Sequence, residues 1–310
     1  MKRLATSTIS GAAIAGLLAT VAATPAAAQT KINIAHVFAN DFLPVFISKD
    51  NGCFEKRGLD ATLTLVPIIN NIPATIVAGS TQIGATTPTV MLQAVENGLD
   101  LMAVAGSTRM LTKEPTFSVV MRQDVKVSTV QDLKGKRIAA PGINSLGEVV
   151  LRKWLKDAGL KPGEVNIVEA PIPQMSDLLK GGTVDGVVIM EPIRSRIVGG
   201  GIGYRHPQEF YATTAPDSVA TFWMASGAWA KANPKAIADF RACVAESVAF
   251  IGSNLEEAKK VELKYVKANA PVYAQFEAKI TAADLKIHAD ITTEMGLLKK
   301  PANLDAMVLP

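Results

Sequence analysis

QIGATTPTVMLQAVENGLDLMAVA, residues 82–105, carries the arrangement that decides the fold. An apolar run over 82–85 has the length of a buried strand. Thr87 followed by Pro88 places a capping side chain ahead of a first-turn proline, and Gly98 stands where the helix should stop. Residues 101–105 then form a second apolar run. Strand, helix and strand in succession make the β-α-β unit of a parallel or mixed sheet, which predicts an α/β protein. The same rhythm extends outward. Strands are expected near 32–35 and 62–66 on one side, and near 117–121, 137–140, 165–168 and 186–190 on the other. Asn71 with Pro73 and Asn233 with Pro234 repeat the cap-and-proline signal, while Gly52, Gly79, Gly159 and Gly181 mark helix ends. Ser128 to Gln131 and Ser145 to Glu148 have capping-box spacing. Past Asn233 the strand signal fades, and three helices are expected over 234–252, 255–268 and 282–295.

The N-terminus reads as an export signal. Lys2 and Arg3 precede a small, mostly apolar stretch over 9–23, and Ala26-Ala27-Ala28 supplies the small residues of a cleavage site. Residues 1–28 are therefore expected to be a cleaved signal peptide. Pro25 and the Ala, Gly and Thr content make the stretch a poor bilayer span. No cysteine follows it within the first fifty residues, so no lipid anchor is expected and a freely diffusing periplasmic protein is. The remaining chain is long for one core and suits two lobes. The expected division puts residues 29–114 and 222–310 in lobe 1 and 115–221 in lobe 2, with crossings over 111–115 and 215–221. A weak internal echo, Gly79-Ser-Thr-Gln82 against Gly182-Thr-Val-Asp185, fits two similar lobes. A formal net charge of only +4 argues against nucleic acid as a partner. Cys53 and Cys243 are the only cysteines. In an oxidising compartment they could pair, but spacing does not establish geometry, and two buried free thiols are the expected state.

The segment from Pro44 to Asp60, PVFISKDNGCFEKRGLD, resembles the entry motif of the nitrate, sulfonate and taurine binding proteins, a family that also contains thiamine-pyrimidine binders. Asp132-Leu-Lys-Gly-Lys-Arg137, Gly182-Thr-Val-Asp185 and Glu191-Pro192 resemble three further blocks of that family, in order. Gln82 departs from the aspartate usual at its position in the first lobe. The resemblance implies a type II periplasmic binding fold: two α/β lobes joined by two crossings and closing over a small-molecule solute. It also implies partners, an ABC transporter permease with its ATPase.

Ligands of open α/β sheets collect beyond the carboxyl ends of the strands, where helix N-termini offer free N–H groups. Four loops qualify: 36–43, 86–89, 107–109 and 142–145. They nominate Asn40, Thr87, Thr89, Ser107, Asn144 and Ser145 as hydrogen-bonding residues, although Thr87 and Ser145 also suffice as plain helix caps. Arg109 is the candidate counter-charge for a carboxylate, sulfonate or nitrate. Phe38, Phe42 and Trp223 lie near the same loops and suit a flat or apolar ligand body, and Glu191 holds a family position. Enzyme chemistry finds little support. His36, His206 and His288 lack metal-ligand spacing, and Gly142-Ile-Asn-Ser-Leu-Gly147 has one residue too many for a nucleophile elbow. No cofactor is expected. A thiamine-pyrimidine binder, a pyrimidine-synthase-like enzyme and a receptor-coupled sensor stay open as alternatives.

Overall fold

Apolar runs pair into two mixed sheets, and the order of strands explains why the two halves of the chain echo each other. The computed structural model describes Met1 and residues 29–310; the signal-peptide expectation, Met1 apart, lies outside the described residues. The strands are β1 (Thr30–His36), β2 (Leu59–Leu65), β3 (Ile83–Thr86), β4 (Leu101–Met110), β5 (Phe117–Arg122), β6 (Arg137–Ala140), β7 (Asn166–Glu169), β8 (Gly186–Met190), β9 (Gly203–Arg205), β10 (Ser218–Ser226) and β11 (Gln275–Phe276). The first sheet runs β11-β4-β10-β3-β1-β2 and the second β7-β6-β8-β5-β9. In each, three parallel neighbours (β2-β1-β3 and β7-β6-β8) are followed by an antiparallel strand, β10 or β5. The helices are α1 (Leu43–Asp50), α2 (Cys53–Lys56), α3 (Ile72–Val77), α4 (Pro88–Glu96), α5 (Leu146–Asp157), α6 (Met175–Lys180), α7 (Ile193–Gly199), α8 (Phe210–Thr214), α9 (Gly227–Ala232), α10 (Pro234–Ser253), α11 (Leu255–Val266) and α12 (Ala282–Glu294).

The glycine turns of the internal echo lead into β3 and β8, which occupy the same place in the two sheets. Gly79 and Gly182 both take φ near +70°, where a Cβ is strained. The residue that closes each turn does the same work in both lobes. Gln82 Oε1 accepts from the Asn33 amide at 2.8 Å in β1, and Asp185 Oδ2 accepts from the Arg137 amide at 2.9 Å in β6. Glutamine therefore satisfies the same strand amide that aspartate does, and the departure at Gln82 is structural.

The chain leaves the first sheet at Met110 and starts the second at Phe117, then returns between α8 and β10. Each sheet has its own core, with Ile34, Phe42, Trp223 and Phe240 in the first, and Met121, Ile138, Trp154 and Tyr211 in the second. α12 leans on both. Leu285 packs into the first core, Ile291 into the second, and Glu294 reaches Lys156 Nζ of α5 at 3.1 Å. The sequence reading placed this helix with lobe 1 and did not foresee its second attachment.

The free-thiol expectation is overturned. Cys53 and Cys243 form a disulfide between α2 and α10. Phe54 stacks on Phe240 with centroids 5.9 Å apart, and this packing brings the two helices into bridging range, which spacing in sequence cannot reveal.

Candidate functional site: a cavity between the sheets

A cavity of about 50 Å³ lies where the two sheets face each other. Phe42, Ile69 and Thr87 line it from the first half of the chain; Phe117, Ser145 and Ile172 line it from the second. Most of the wall is apolar, and none of the lining residues is Lys, Arg or His. The N-termini of α4 and α5 enter from opposite sides, at Thr87 and at Ser145, Leu146 and Gly147. First-turn N–H groups have no acceptor within their own helix, so each end offers donors and the positive pole of a helix dipole.

Those donors are not consumed by the expected caps. Neither Thr87 nor Ser145 makes a side-chain capping bond. Ser145 Oγ turns back to donate to Gly142 O at 2.6 Å, and Thr87 Oγ1 faces Thr89 Oγ1 at 3.4 Å. Glu148, expected to close a capping box with Ser145, accepts instead from the Asn144 amide and pairs with Arg152. Burial raises the Glu148 carboxyl above its ordinary value, and the Arg152 charge opposes that shift. The box expected at Ser128 forms one residue later, between Thr129 and Asp132. Gly147 is required where α5 meets the cavity wall: a Cβ there would lie 2.5 Å from Phe117 Cζ.

Three nominated residues, Phe42, Thr87 and Ser145, line the cavity together. Ser107 stands behind it, its hydroxyl donating to the Asp41 carbonyl at 2.6 Å. Thr89 is fully buried in the first turn of α4. Phe38 packs against both a first-sheet and a second-sheet core cluster, and Asn40 is buried beside Glu262.

Arg109 does not reach the cavity. Side chains alternate along a strand, so Met110 faces the cavity while Arg109 points to the other face of β4. There its guanidinium meets Glu277 at 2.8 Å and Asp284 at 2.6 Å, and donates to Asp217 O. These carboxylates hold the Arg109 pKa above its ordinary value. Trp223 is likewise removed: it is fully buried between Phe42, 5.2 Å away, and Phe240, so it stands one layer behind the wall. Glu191 is sealed against Arg194 and Ser195 and fixes the start of α7.

Asn144 acts through its backbone. It holds φ +62°, its side chain accepts from Arg152, and its carbonyl accepts from Gln93 Nε2 of α4 at 2.8 Å. One residue earlier, Ile143 O accepts from Asn70 Nδ2 at 2.7 Å. The loop before α5 therefore turns its amides to Glu169 and Glu148 of its own lobe, and its carbonyls to two amide side chains from across the cleft. This clasp ties the loop before α5 to the first half of the chain.

Sequence reasoning missed Asp41, Thr221 and Phe117. Asp41 is buried on the cavity wall, with Thr108 donating to its Oδ1 at 2.9 Å and Thr221 2.7 Å from Thr108. Burial raises its carboxyl above the ordinary range, and the Thr108 hydrogen bond opposes the shift. The available signal was an acidic residue in the loop that follows β1. Among the described residues no group of three or more His, Cys, Asp and Glu is placed to hold a metal, and no helix is long and apolar enough to cross a membrane.

The family model described as NMT1/THI5 like matches residues 39–258, more than half of the chain. Among curated proteins, the nitrate import ATP-binding protein NrtC of Synechocystis sp. is 27% identical over 205 residues, covering 57% of this chain and 28% of that protein. The nitrate/nitrite binding protein NrtA of Nostoc sp. is 24% identical over 204 residues, covering 58% of this chain and 45% of that protein. The chain thus spans less than half the length of either relative. Among solved structures, the alkanesulfonate-binding protein SsuA from Xanthomonas axonopodis pv. citri, bound to MOPS, superposes with a TM-score of 0.77 at 19% identity, over 92% of this chain and 99% of that one. The periplasmic nitrate-binding protein NrtA from Synechocystis superposes with a TM-score of 0.73 at 16% identity, over 90% and 84%. These likenesses give the chain the two-lobed periplasmic binding protein fold expected from its sequence.

Proposed function

Because the chain belongs to the NMT1/THI5-like family, we propose that it is the periplasmic solute-binding component of an ABC-type importer, holding a small organic solute in the cavity between its sheets. The observation that carries this reading is the convergence of two helix N-termini, from opposite lobes, on one apolar-walled cavity. Such ends suit a carboxylate or sulfonate head without a cationic side chain, because the N–H groups and the dipole supply the favourable potential. The apolar walls suit a carbon-bearing body better than nitrate.

A solute that touches both walls favours the closed arrangement of lobes joined by two crossings, and a permease with its ATPase would read that closure. Residues 29–114 and 222–310 would form one lobe and 115–221 the other, with α12 spanning the seam. Export by a cleaved signal peptide belongs to the same reading. A pyrimidine-synthase-like enzyme is a poorer reading, since both cysteines are held in the disulfide and are not free to ligate iron.

The test is a melting-temperature screen of the mature protein against small carboxylates, sulfonates, pyrimidines and nitrate, since a ligand of the folded state raises the melting point. A saturable shift with a carboxylate or sulfonate is expected. A shift with nitrate alone would refute the organic-solute reading.

A further inference from the structure

We infer that Asp41 selects the solute, requiring it to present an N–H or O–H donor, from an amino or hydroxyl group, to the part of the wall that Asp41 lines. This inference rests on the solute-binding reading above and adds a second polar contact to it.

Asp41 is the one ionisable side chain on the cavity wall among its lining residues. Its surroundings are built. Thr108 donates to Oδ1, Thr221 lies in hydrogen-bond range of Thr108, and Ser107 holds the Asp41 carbonyl, so β4 and β10 fix the carboxyl from behind. Thr108 has a single proton. When it donates to Asp41, the Thr221 hydroxyl donates to Thr108, and both hydroxyls point towards the carboxyl. The other charged and titratable groups nearby face elsewhere. Arg109 is bound to Glu277 and Asp284 on the far face of β4, the Tyr211 hydroxyl contacts Ser218 and Val219 O, and His36 lies edge-on to Phe46. Among the described residues, no cation therefore meets Asp41 from the cavity side.

A simple monoanion entering this space places its charge in the same low-dielectric cavity as the carboxyl. It can be accommodated when Asp41 takes up a proton, and burial already favours the protonated form. A solute with an amino or hydroxyl group avoids that requirement. Its donor meets the carboxyl, while its acidic or other acceptor head meets the N-terminal turns of α4 and α5.

The experiment uses matched probes differing only in the donor: β-alanine against propanoate, and 2-aminoethanesulfonate against ethanesulfonate. Each is titrated calorimetrically into the mature protein, in two buffers of different protonation enthalpy. The aminated member of each pair is expected to bind about 10- to 100-fold more tightly, the range for a charged hydrogen bond, with no net proton uptake. Asp41→Asn, which preserves shape and the acceptor for Thr108, is expected to bring the two members within about threefold of each other. Should that variant fail to fold, the proton count on the unaltered protein still decides. Equal affinity within both pairs, or tighter binding of the unaminated acid with uptake of a proton, overturns the inference while leaving the solute-binding reading intact. Absence of binding by every probe, together with no melting shift in the wider solute screen, overturns both.

Discussion

Removing the clasp across the cleft should open the protein. Asn70 and Gln93 each donate one neutral hydrogen bond, at 2.7 and 2.8 Å, to the carbonyls of Ile143 and Asn144 on the opposite lobe. A bond of this kind contributes about 0.5–1.5 kcal/mol net. The carbonyls regain water when the lobes part, so the two together favour the closed arrangement by roughly 1–3 kcal/mol, or about 5- to 150-fold in the closed-to-open ratio. The double variant Asn70→Ala/Gln93→Ala should raise the radius of gyration measured by small-angle scattering and weaken solute binding by up to the same factor, because only the closed form grips both walls. Gly142→Ala approaches the clasp from the other side, since a Cβ there would sit 2.5 Å from Asn70 Oδ1. Both variants leave the two cores untouched, so the melting temperature without solute should change little. An unchanged scattering profile and unchanged affinity in the double variant would refute the clasp as a determinant of closure.

Three further outcomes follow from groups outside the cavity. His288 is fully buried, with Nε2 against Val219 O at 2.7 Å, and burial lowers its pKa from 6.5 to about 4. The folded protein keeps it neutral while the unfolded chain protonates it, so this stability is present above pH 6.5 and falls away by about 3 kcal/mol as the pH drops to 4; a His288→Gln variant should flatten that part of a melting-versus-pH profile. Reducing the Cys53–Cys243 bridge, or replacing both residues by serine, should cost about 2–5 kcal/mol of unfolding free energy in urea, with solute affinity unchanged. Arg109→Ala should lower stability by about 1–2 kcal/mol, discounted for partial exposure, and leave solute affinity intact. A loss of binding with retained stability would return Arg109 to the site.

Elements were legible wherever a local signal coincided with the packing. Residues 82–105 read directly as β3, α4 and the start of β4, and the three C-terminal helices appeared where hydrophobic period and caps placed them. The cavity was legible at its helix ends, because Thr87 and Ser145 sit at loops that the strand order turns inward, and both line it. Arg109 was expected on a loop over 107–109, but the strand expected over 101–105 runs on to Met110, and Arg109 takes the face of β4 turned away from the cavity. Asp41 was overlooked because its surroundings are assembled from afar: Thr108 lies 67 residues from Asp41 along the chain, and Thr221 lies 113 from Thr108. The disulfide was hidden for the same reason: 190 residues separate its ends.

Whether the cavity between the sheets holds the solute is decided by a crystal structure of the mature protein with the tightest probe from the screen. Density for that probe is expected between Phe42 and Phe117, its acceptor head within hydrogen-bond reach of the first-turn amides of α4 and α5 and its donor on Asp41. Density on the far face of β4 beside Arg109, with the cavity unchanged, would contradict it.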